Sequence, residues 1–236
     1  MDATVIIAAA GRGLRMGGHI NKQYLTLNDR PVLYYALAAS LEAGCFKQLI
    51  VVVTPGEEEL FRREVLLPYF KDFNPDIITG GSQRQDSVHN GLLAVASSCE
   101  IVCVHDGARP LTSPLLFSSL VQAAIAKGAA ISAVPVKDTI KQVDDTKRVI
   151  ETPARSCLWS VQTPQAFRRQ WLLDAYRQAA QEGFYATDDA ALLERCGYPV
   201  HVVEGDYNNL KITTPEDLIL AEVFLRRRED ANRDRL

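Results

Sequence analysis

Four short segments of the 236-residue sequence gather residue types suited to phosphate: Ala10-Gly11-Arg12-Gly13-Leu14-Arg15-Met16-Gly17-Gly18, Gly80-Gly81-Ser82, Asp106-Gly107-Ala108-Arg109-Pro110 and Lys137-Asp138-Thr139. Each follows a short apolar run. Ligands of open parallel sheets bind beyond the carboxyl ends of the strands, so the four segments are candidates for one site. In the first, glycine N–H groups can approach an anion closely while Arg12, Arg15 and then Lys22 add positive charge. The bland alternative is a solvated turn. Two sharper readings fail on spacing. A dinucleotide fingerprint counted from Gly11 and Gly13 meets Met16 in place of its third glycine, and the second apolar run ends at Thr54 rather than at an acidic residue. A P-loop finds the right gap between Gly13 and Gly18 but has His19 where lysine is required.

Asp106 ends the run Ile101-Val102-Cys103-Val104-His105, so its carboxylate projects from a buried strand and needs a cation nearby. Two partners are open. Arg109 would make a structural ion pair, whereas Mg2+ takes one or two carboxylates together with substrate phosphates, and the glycine loop weighs toward the metal. Gly80 to Val88 forms a strand-to-helix crossing whose backbone and Ser87 hydroxyl can read a nucleobase edge; the alternative is a plain capped helix start. His19, His89, His105 and His201 show no metal-ligand or triad spacing, and Trp159 and Trp171 read as core or interface aromatics.

The elements that must position these groups are legible. Apolar runs at Thr4 to Ala9, Gln48 to Val53, Asp76 to Thr79, Ile101 to His105, Ala129 to Val134 and Val200 to Glu204 read as strands, several of them buried on both faces. Thr54-Pro55, Ser113-Pro114 and Thr214-Pro215 each set a capping hydroxyl before a first-turn proline, and Asp217 stands three residues after Thr214. Gly183 and Gly197 read as helix stops. The alternation predicts an α/β fold: a Rossmann-like, mostly parallel sheet covered by helices on both faces, in one domain spanning 1–236. Residues 137–158 break the alternation. They are polar, with Val143 and Val149-Ile150 flanking Asp144 to Lys147, and predict a projecting β-arm.

With 26 Lys+Arg against 29 Asp+Glu, the net charge of -3 argues against retention on nucleic acid or anionic membrane by bulk charge. A 47% hydrophobic and 23% charged composition excludes disorder beyond the tail. Cys45, Cys99, Cys103, Cys157 and Cys196 are scattered and odd in number, which argues against a disulfide framework or zinc site. The apolar run Val5 to Ala10 is too short for a signal or membrane segment, so a cytoplasmic protein is expected.

Ala8-Ala9-Ala10-Gly11-Arg12-Gly13-Leu14-Arg15-Met16 with Lys22-Gln23-Tyr24 resembles the signature loop of sugar-phosphate nucleotidyltransferases. Gly80-Gly81 with Arg84, Ser87-Val88 and Gly91-Leu92, then His105 to Pro110, narrow the resemblance to the 2-C-methyl-D-erythritol 4-phosphate cytidylyltransferase family. Gln162-Thr163-Pro164-Gln165, Thr187-Asp188-Asp189-Ala190 and Asn209-Leu210-Lys211-Ile212-Thr213 extend it to residue 217. The resemblance implies a Mg2+-dependent transfer from CTP to a polyol phosphate in the non-mevalonate isoprenoid pathway. It implies that Arg15, Lys22 and Lys211 are catalytic and that Ala9, Ala10, Gly11, Gly13, Gly81, Ser82 and Ser87 bind CTP. Asp106 would serve the metal or the ribose side, and Arg109, Thr139 and Arg155 the sugar phosphate. Ser82 departs from members with Asp there, and Asn208 from the many with an acidic residue.

The chemistry agrees with that resemblance. A phosphomonoester carries about -1.5 to -2 at neutral pH, so bringing it to a triphosphate requires cations and positioning rather than a side-chain nucleophile. Ribitol 5-phosphate cytidylyltransferase shares the glycine loop and the Gln162 to Gln165 string; the Thr187 to Ala190 string favours methylerythritol. A nucleotide-binding regulator without turnover is the other alternative, and joint retention of Arg15, Lys22, Asp106 and Lys211 argues against it. An isolated hairpin is marginally stable, so the arm predicts a homodimer in which Thr139 or Arg155 reaches the neighbouring site. The simpler alternative pairs Arg155 with Glu151 on a surface hairpin.

Overall fold

A computed structural model of the chain describes residues 1–11 and 21–233. The readings placed on Arg12, Gly13, Arg15, Met16 and His19 lie outside the described residues.

The elements run β1 (Ala3–Ala9), β2 (Thr26–Leu27), β3 (Arg30–Pro31), α1 (Val32–Glu42), β4 (Gln48–Val53), α2 (Glu58–Phe61), α3 (Leu67–Tyr69), β5 (Asp76–Thr79), α4 (Arg84–Leu93) and β6 (Ile101–Asp106). They continue with α5 (Pro114–Lys127), β7 (Ala129–Pro135), β8 (Gln142–Val143), β9 (Val149–Glu151), β10 (Trp159–Arg168), α6 (Arg169–Glu182), α7 (Asp189–Arg195), β11 (His201–Glu204) and α8 (Pro215–Arg233). A π-helical stretch, Arg62–Leu66, joins α2 to α3.

Seven strands form one sheet in the order β11-β7-β10-β6-β1-β4-β5. All neighbours are parallel except β10, which runs antiparallel to both β6 and β7. β1, β4 and β6 are buried nearly throughout, as expected of strands packed on both faces. Val5, Ile7, Val51 and Phe117 belong to the apolar layer on one face, and Ile6, Val52, Val104 and Phe167 to the layer on the other. Burying a side chain of this size contributes about 1.5–3 kcal/mol. A smaller cluster of Leu27, Val32, Leu111, Ile212, Ala221 and Leu225 seats α8.

The helix ends divide the expectations. Ser113 caps α5, its hydroxyl accepting from Leu115 N at 3.3 Å with Pro114 in the first turn. α6 ends on Gly183 at φ +63, and Gly197 follows α7 at φ +77, conformations that cost glycine little. α8 starts at Pro215, where the Asp217 carboxylate accepts from Thr213 N at 2.8 Å and Thr214 N at 2.9 Å. Thr54-Pro55 does not start a helix. Thr54 O instead accepts from Glu57 N at 2.9 Å, closing a turn that delays α2 to Glu58.

β10 is the larger correction, because the sequence reading assigns no strand between Trp159 and Arg168. Pro164 lies within it, and the pairing with β7 shifts register between Val161 and Gln165, so neither alternation nor an unbroken apolar run marks it. Residues 137–158 do leave the sheet, and β8 and β9 pair only with each other.

Candidate active site

The carboxyl ends of β1, β4, β5 and β6 open onto a cleft of about 750 Å³. Ala8 to Gly11, Thr54 and Pro55, Gly80 to Arg84, Ser87, Asp106 and Ala108 line it, with Lys22, Gln23 and Lys211 closing from the flanks. Ala9, Ala10, Gly11, Lys22, Gly81, Ser82, Ser87, Asp106 and Lys211 therefore share one cavity; Gly13 and Arg15 lie outside the described residues.

The β5–α4 crossing is built on close approach. A Cβ added to Gly80 would lie 2.4 Å from the Ala10 Cβ and 2.9 Å from Ser87 Oγ, and one on Gly81 would lie 2.3 Å from the Asp86 Cβ. A larger residue at 80 would collide with the segment that follows β1, and one at 81 with the first turn of α4. Gly81 N donates to Ser87 Oγ at 3.0 Å, and that hydroxyl donates to Gln83 O at 3.0 Å. Ser82 Oγ donates to Asp86 Oδ2 at 2.5 Å, the oxygen that also accepts from Gln83 N at 3.0 Å. Asp86 thus supplies the carboxylate half of a capping box, while the loop backbone still faces the cleft.

Electrostatics centre on Asp106, which is 6% exposed. Its Oδ1 accepts from Arg84 Nε at 3.0 Å and its Oδ2 lies 2.6 Å from Lys211 Nζ. Burial pushes the carboxyl pKa up, but the charges of Arg84, then Lys211 and Arg109, outweigh this and hold it well below the usual range. Asp106 is an anion at any physiological pH. The pairing with Arg109 is corrected: Arg109 Nη1 donates to Asn209 O at 2.6 Å behind the cleft wall, and Arg84 takes the carboxylate instead. Lys22 Nζ donates to Ile212 O at 2.8 Å, which brings both lysines to the same wall.

A buried polar network fixes this wall from behind. Asp106 N donates to Thr163 Oγ1 at 3.0 Å, and the same hydroxyl lies 3.2 Å from His105 Nδ1. The other ring nitrogen, Nε2, lies 3.4 Å from Thr112 Oγ1, and Thr112 donates to Asn209 Oδ1 at 2.7 Å. Asn209 Nδ2 closes the circuit on Thr163 O at 2.9 Å. Burial holds the His105 pKa down at about 3, so the ring is neutral. The network ties the end of β6 to β10 and to the loop that carries Lys211.

Thr139 and Arg155 are exposed on the arm and do not line the cleft. Arg155 Nη1 donates to Lys137 O at 2.8 Å, rather than pairing with Glu151. Arg84, Asp189, Thr163 and Asn209 hold the site but were not singled out from the sequence. Arg84 lies in the Gly80 to Val88 crossing, read for its backbone and Ser87, and the other three in strings read only for resemblance; nothing local marks a residue whose partner is 22 to 105 positions away.

Comparison with known proteins shows the family and the fold. The family model "IspD: 2-C-methyl-D-erythritol 4-phosphate cytidylyltransferase" matches residues 3–227. The protein of that name from Pelotomaculum thermopropionicum is 50% identical over 224 residues, covering 95% of this chain and 94% of that one. Its namesake from Caldanaerobacter subterraneus subsp. tengcongensis is 46% identical over 227 residues, covering 96% and 100%. The crystal structure of 4-diphosphocytidyl-2C-methyl-D-erythritol synthase from Anaerococcus prevotii superposes with a TM-score of 0.85 at 34% identity, covering 95% of this chain and 98% of that one. That of the Thermus thermophilus cytidylyltransferase gives 0.78 at 34%, covering 96% and 100%.

Proposed function

We propose, because this chain belongs to the 2-C-methyl-D-erythritol 4-phosphate cytidylyltransferase family, that its cleft takes the CTP triphosphate at the end of β1 and the cytosine at the β5–α4 crossing. The chain is a nucleotidyltransferase of the non-mevalonate isoprenoid pathway. It makes 4-diphosphocytidyl-2-C-methyl-D-erythritol and pyrophosphate from CTP and 2-C-methyl-D-erythritol 4-phosphate. A phosphate oxygen of the polyol attacks the α-phosphorus in line. A P–O bond forms there as the bond to the bridging β-phosphate oxygen breaks, and pyrophosphate leaves with the displaced electron pair.

The observation that carries the assignment of roles is the convergence of Lys22 and Lys211 on one wall, with Asp106 held ionised between Arg84 and Lys211. Lys22, with Arg15 from the glycine loop, is assigned to the charge developing on the α-phosphate and on pyrophosphate. Lys211 is assigned to the approaching phosphomonoester. Gly81, Ser82 and Ser87 are assigned to the base, and the backbone of Ala9, Ala10 and Gly11 to the triphosphate, with Gly13 assigned there by resemblance alone. Arg109 acts indirectly in this scheme, holding the backbone at Asn209 beside Lys211.

Mg2+ suits the same wall. Among the described residues no group of three or more His, Cys, Asp or Glu side chains could hold an ion alone, while Asp106 offers one ionised carboxylate on the cleft. A single carboxylate fits an ion that keeps phosphates and waters as its other ligands. When bound, Mg2+ would neutralise phosphate charge at the α-phosphorus.

The arm supplies a dimer contact in this reading, with Thr139 and Arg155 reaching the polyol phosphate of the partner; Arg suits phosphate because its planar fork bonds bidentately. Both substrates are small anions, and five free cysteines suit a reducing cytosol. Among the described residues no helix is long and apolar enough to cross a membrane.

The test is pyrophosphate release, run with methylerythritol 4-phosphate against ribitol 5-phosphate, with CTP against the other triphosphates, and across a Mg2+ titration. Turnover with CTP and methylerythritol 4-phosphate that rises with Mg2+ is expected. Preference for the ribitol ester, or turnover unchanged by chelator, would remove the corresponding assignment.

A further inference from the structure

Arg84 is the first residue of α4, at the positive end of the helix dipole, where a cation is disfavoured. Something must offset that placement. Its fork is divided between two carboxylates from different elements: Nε donates to Asp106 Oδ1 at 3.0 Å, and Nη1 donates to Asp189 Oδ2 at 2.9 Å. Asp189, the first residue of α7, is 1% exposed and accepts from Tyr176 Oη at 2.6 Å on its other oxygen. The remaining oxygen of Asp106 meets Lys211 Nζ at 2.6 Å. A chain of alternating charge therefore runs Lys211, Asp106, Arg84, Asp189, and it balances.

We propose that Arg84 is the positioning residue that frees Lys211 for the substrate phosphate. Lys211 already sits 2.6 Å from Asp106, and without Arg84 moving its ammonium to an incoming anion would leave that buried carboxylate without either of its two bonded cations. With Arg84 in place, one oxygen of Asp106 is already compensated. The other orients Lys211 without monopolising it. The two-pronged contact also ties the end of β6 to the start of α7. Lysine, a point charge, cannot bond two carboxylates in this fixed geometry. The inference rests on the assignment of Lys211 to the reacting phosphates.

The test is a double-mutant cycle on kcat in the intact protein, with Arg84→Gln, Lys211→Gln and the pair, plus Arg84→Lys. Because Arg84→Gln leaves two buried carboxylates facing one cation, an Arg84→Gln, Asp189→Asn double variant serves where the single one folds poorly. Arg84→Gln is expected to lower kcat on the order of 100-fold, the cost of misplacing a reacting group by about 1 Å. In the Lys211→Gln background the same change should cost no more than about twofold, within the scatter of independent sites. Arg84→Lys should recover part of the loss. A crippled Lys211→Gln enzyme on which Arg84→Gln acts with its full factor overturns the positioning role alone, as does a folded Arg84→Gln, Asp189→Asn variant with wild-type kcat. Wild-type kcat in Lys211→Gln would remove the assignment of Lys211 and the role of Arg84 with it.

Discussion

Arg84 in the cleft and Arg155 on the arm carry the same guanidinium into opposite surroundings. Arg84 is held between two carboxylates on separate elements, one of them 1% exposed. Arg155 is exposed and donates to the Lys137 carbonyl across the base of its own arm. The cleft is braced from behind by His105, Thr163, Thr112 and Asn209, whereas β8 and β9 pair only with each other and are exposed. A cation inside a charge-matched, buried frame is oriented before substrate arrives. A cation on a projecting arm acquires its orientation from whatever the arm meets. The cleft cations are fixed by partners from several elements of the sheet, whereas the arm cation is fixed only by its own arm.

The sharpest contrast is expected in kcat. Lys22→Ala removes a preorganised donor from the cleft and should cost about 100- to 1,000-fold in turnover with the melting temperature near wild type. A near-normal kcat would break the assignment of the cleft. Arg155→Ala should act on a different parameter: losing a charge-assisted hydrogen bond to phosphate, about 1.5–3 kcal/mol, raises KM for the polyol phosphate by roughly 10- to 100-fold and leaves KM for CTP alone. Mixing the two variants under protomer exchange, at a polyol phosphate concentration far below the raised KM so that Arg155→Ala alone turns over little, sharpens the comparison. If the arm serves the neighbouring site, half the dimers are mixed and each regains one intact site, so about a quarter of wild-type activity returns. Activity that stays at the level of the separate variants would assign Arg155 to its own chain.

The smallest effect is expected from acid. His105 has a folded pKa of about 3 against an ordinary 6.5, so in between the unfolded chain binds a proton that the native chain refuses. Its stabilisation is intact above about pH 6.5 and is lost as pH falls toward 3, by at most about 1.4 kcal/mol per pH unit. Denaturant unfolding from pH 7 to 5 should show the decline, and His105→Gln should flatten it. An equal slope in both proteins would mean that the ring is not kept neutral. Below the ordinary carboxylate range Asp106 adds a further loss, because its folded pKa is also depressed.

What the sequence disclosed depended on whether the signal was local. β1, β4 and β6 announce themselves because burial on both faces demands continuous apolar residues, and Ser113-Pro114 because a cap acts within one turn. The residues at the strand ends were legible for the same reason, since each stands directly after such a run. β10 was not legible: Pro164 and a register shift erase its periodicity, and it is specified by neighbours supplied from β6 and β7. Arg84 was quoted for resemblance, yet its role depends on Asp106 and Asp189, which only the folded sheet brings to it. Thr54-Pro55 misled because the same dipeptide suits a turn, and the hydrogen bond from Glu57 N chose the turn.

The antiparallel strand also sets an order on folding. β1 finds β4 and then β6 as the chain lengthens, but both partners of β7, β10 and β11, come after it in sequence. During synthesis β7 must therefore wait, with the edge of β6 unpaired beside the gap that β10 will fill. Unpaired edges of apolar strands are templates for intermolecular pairing. A nascent chain that has not yet delivered Trp159 to Arg168 therefore carries the edge of β6 open, and a strand that emerges late is the one that seals it.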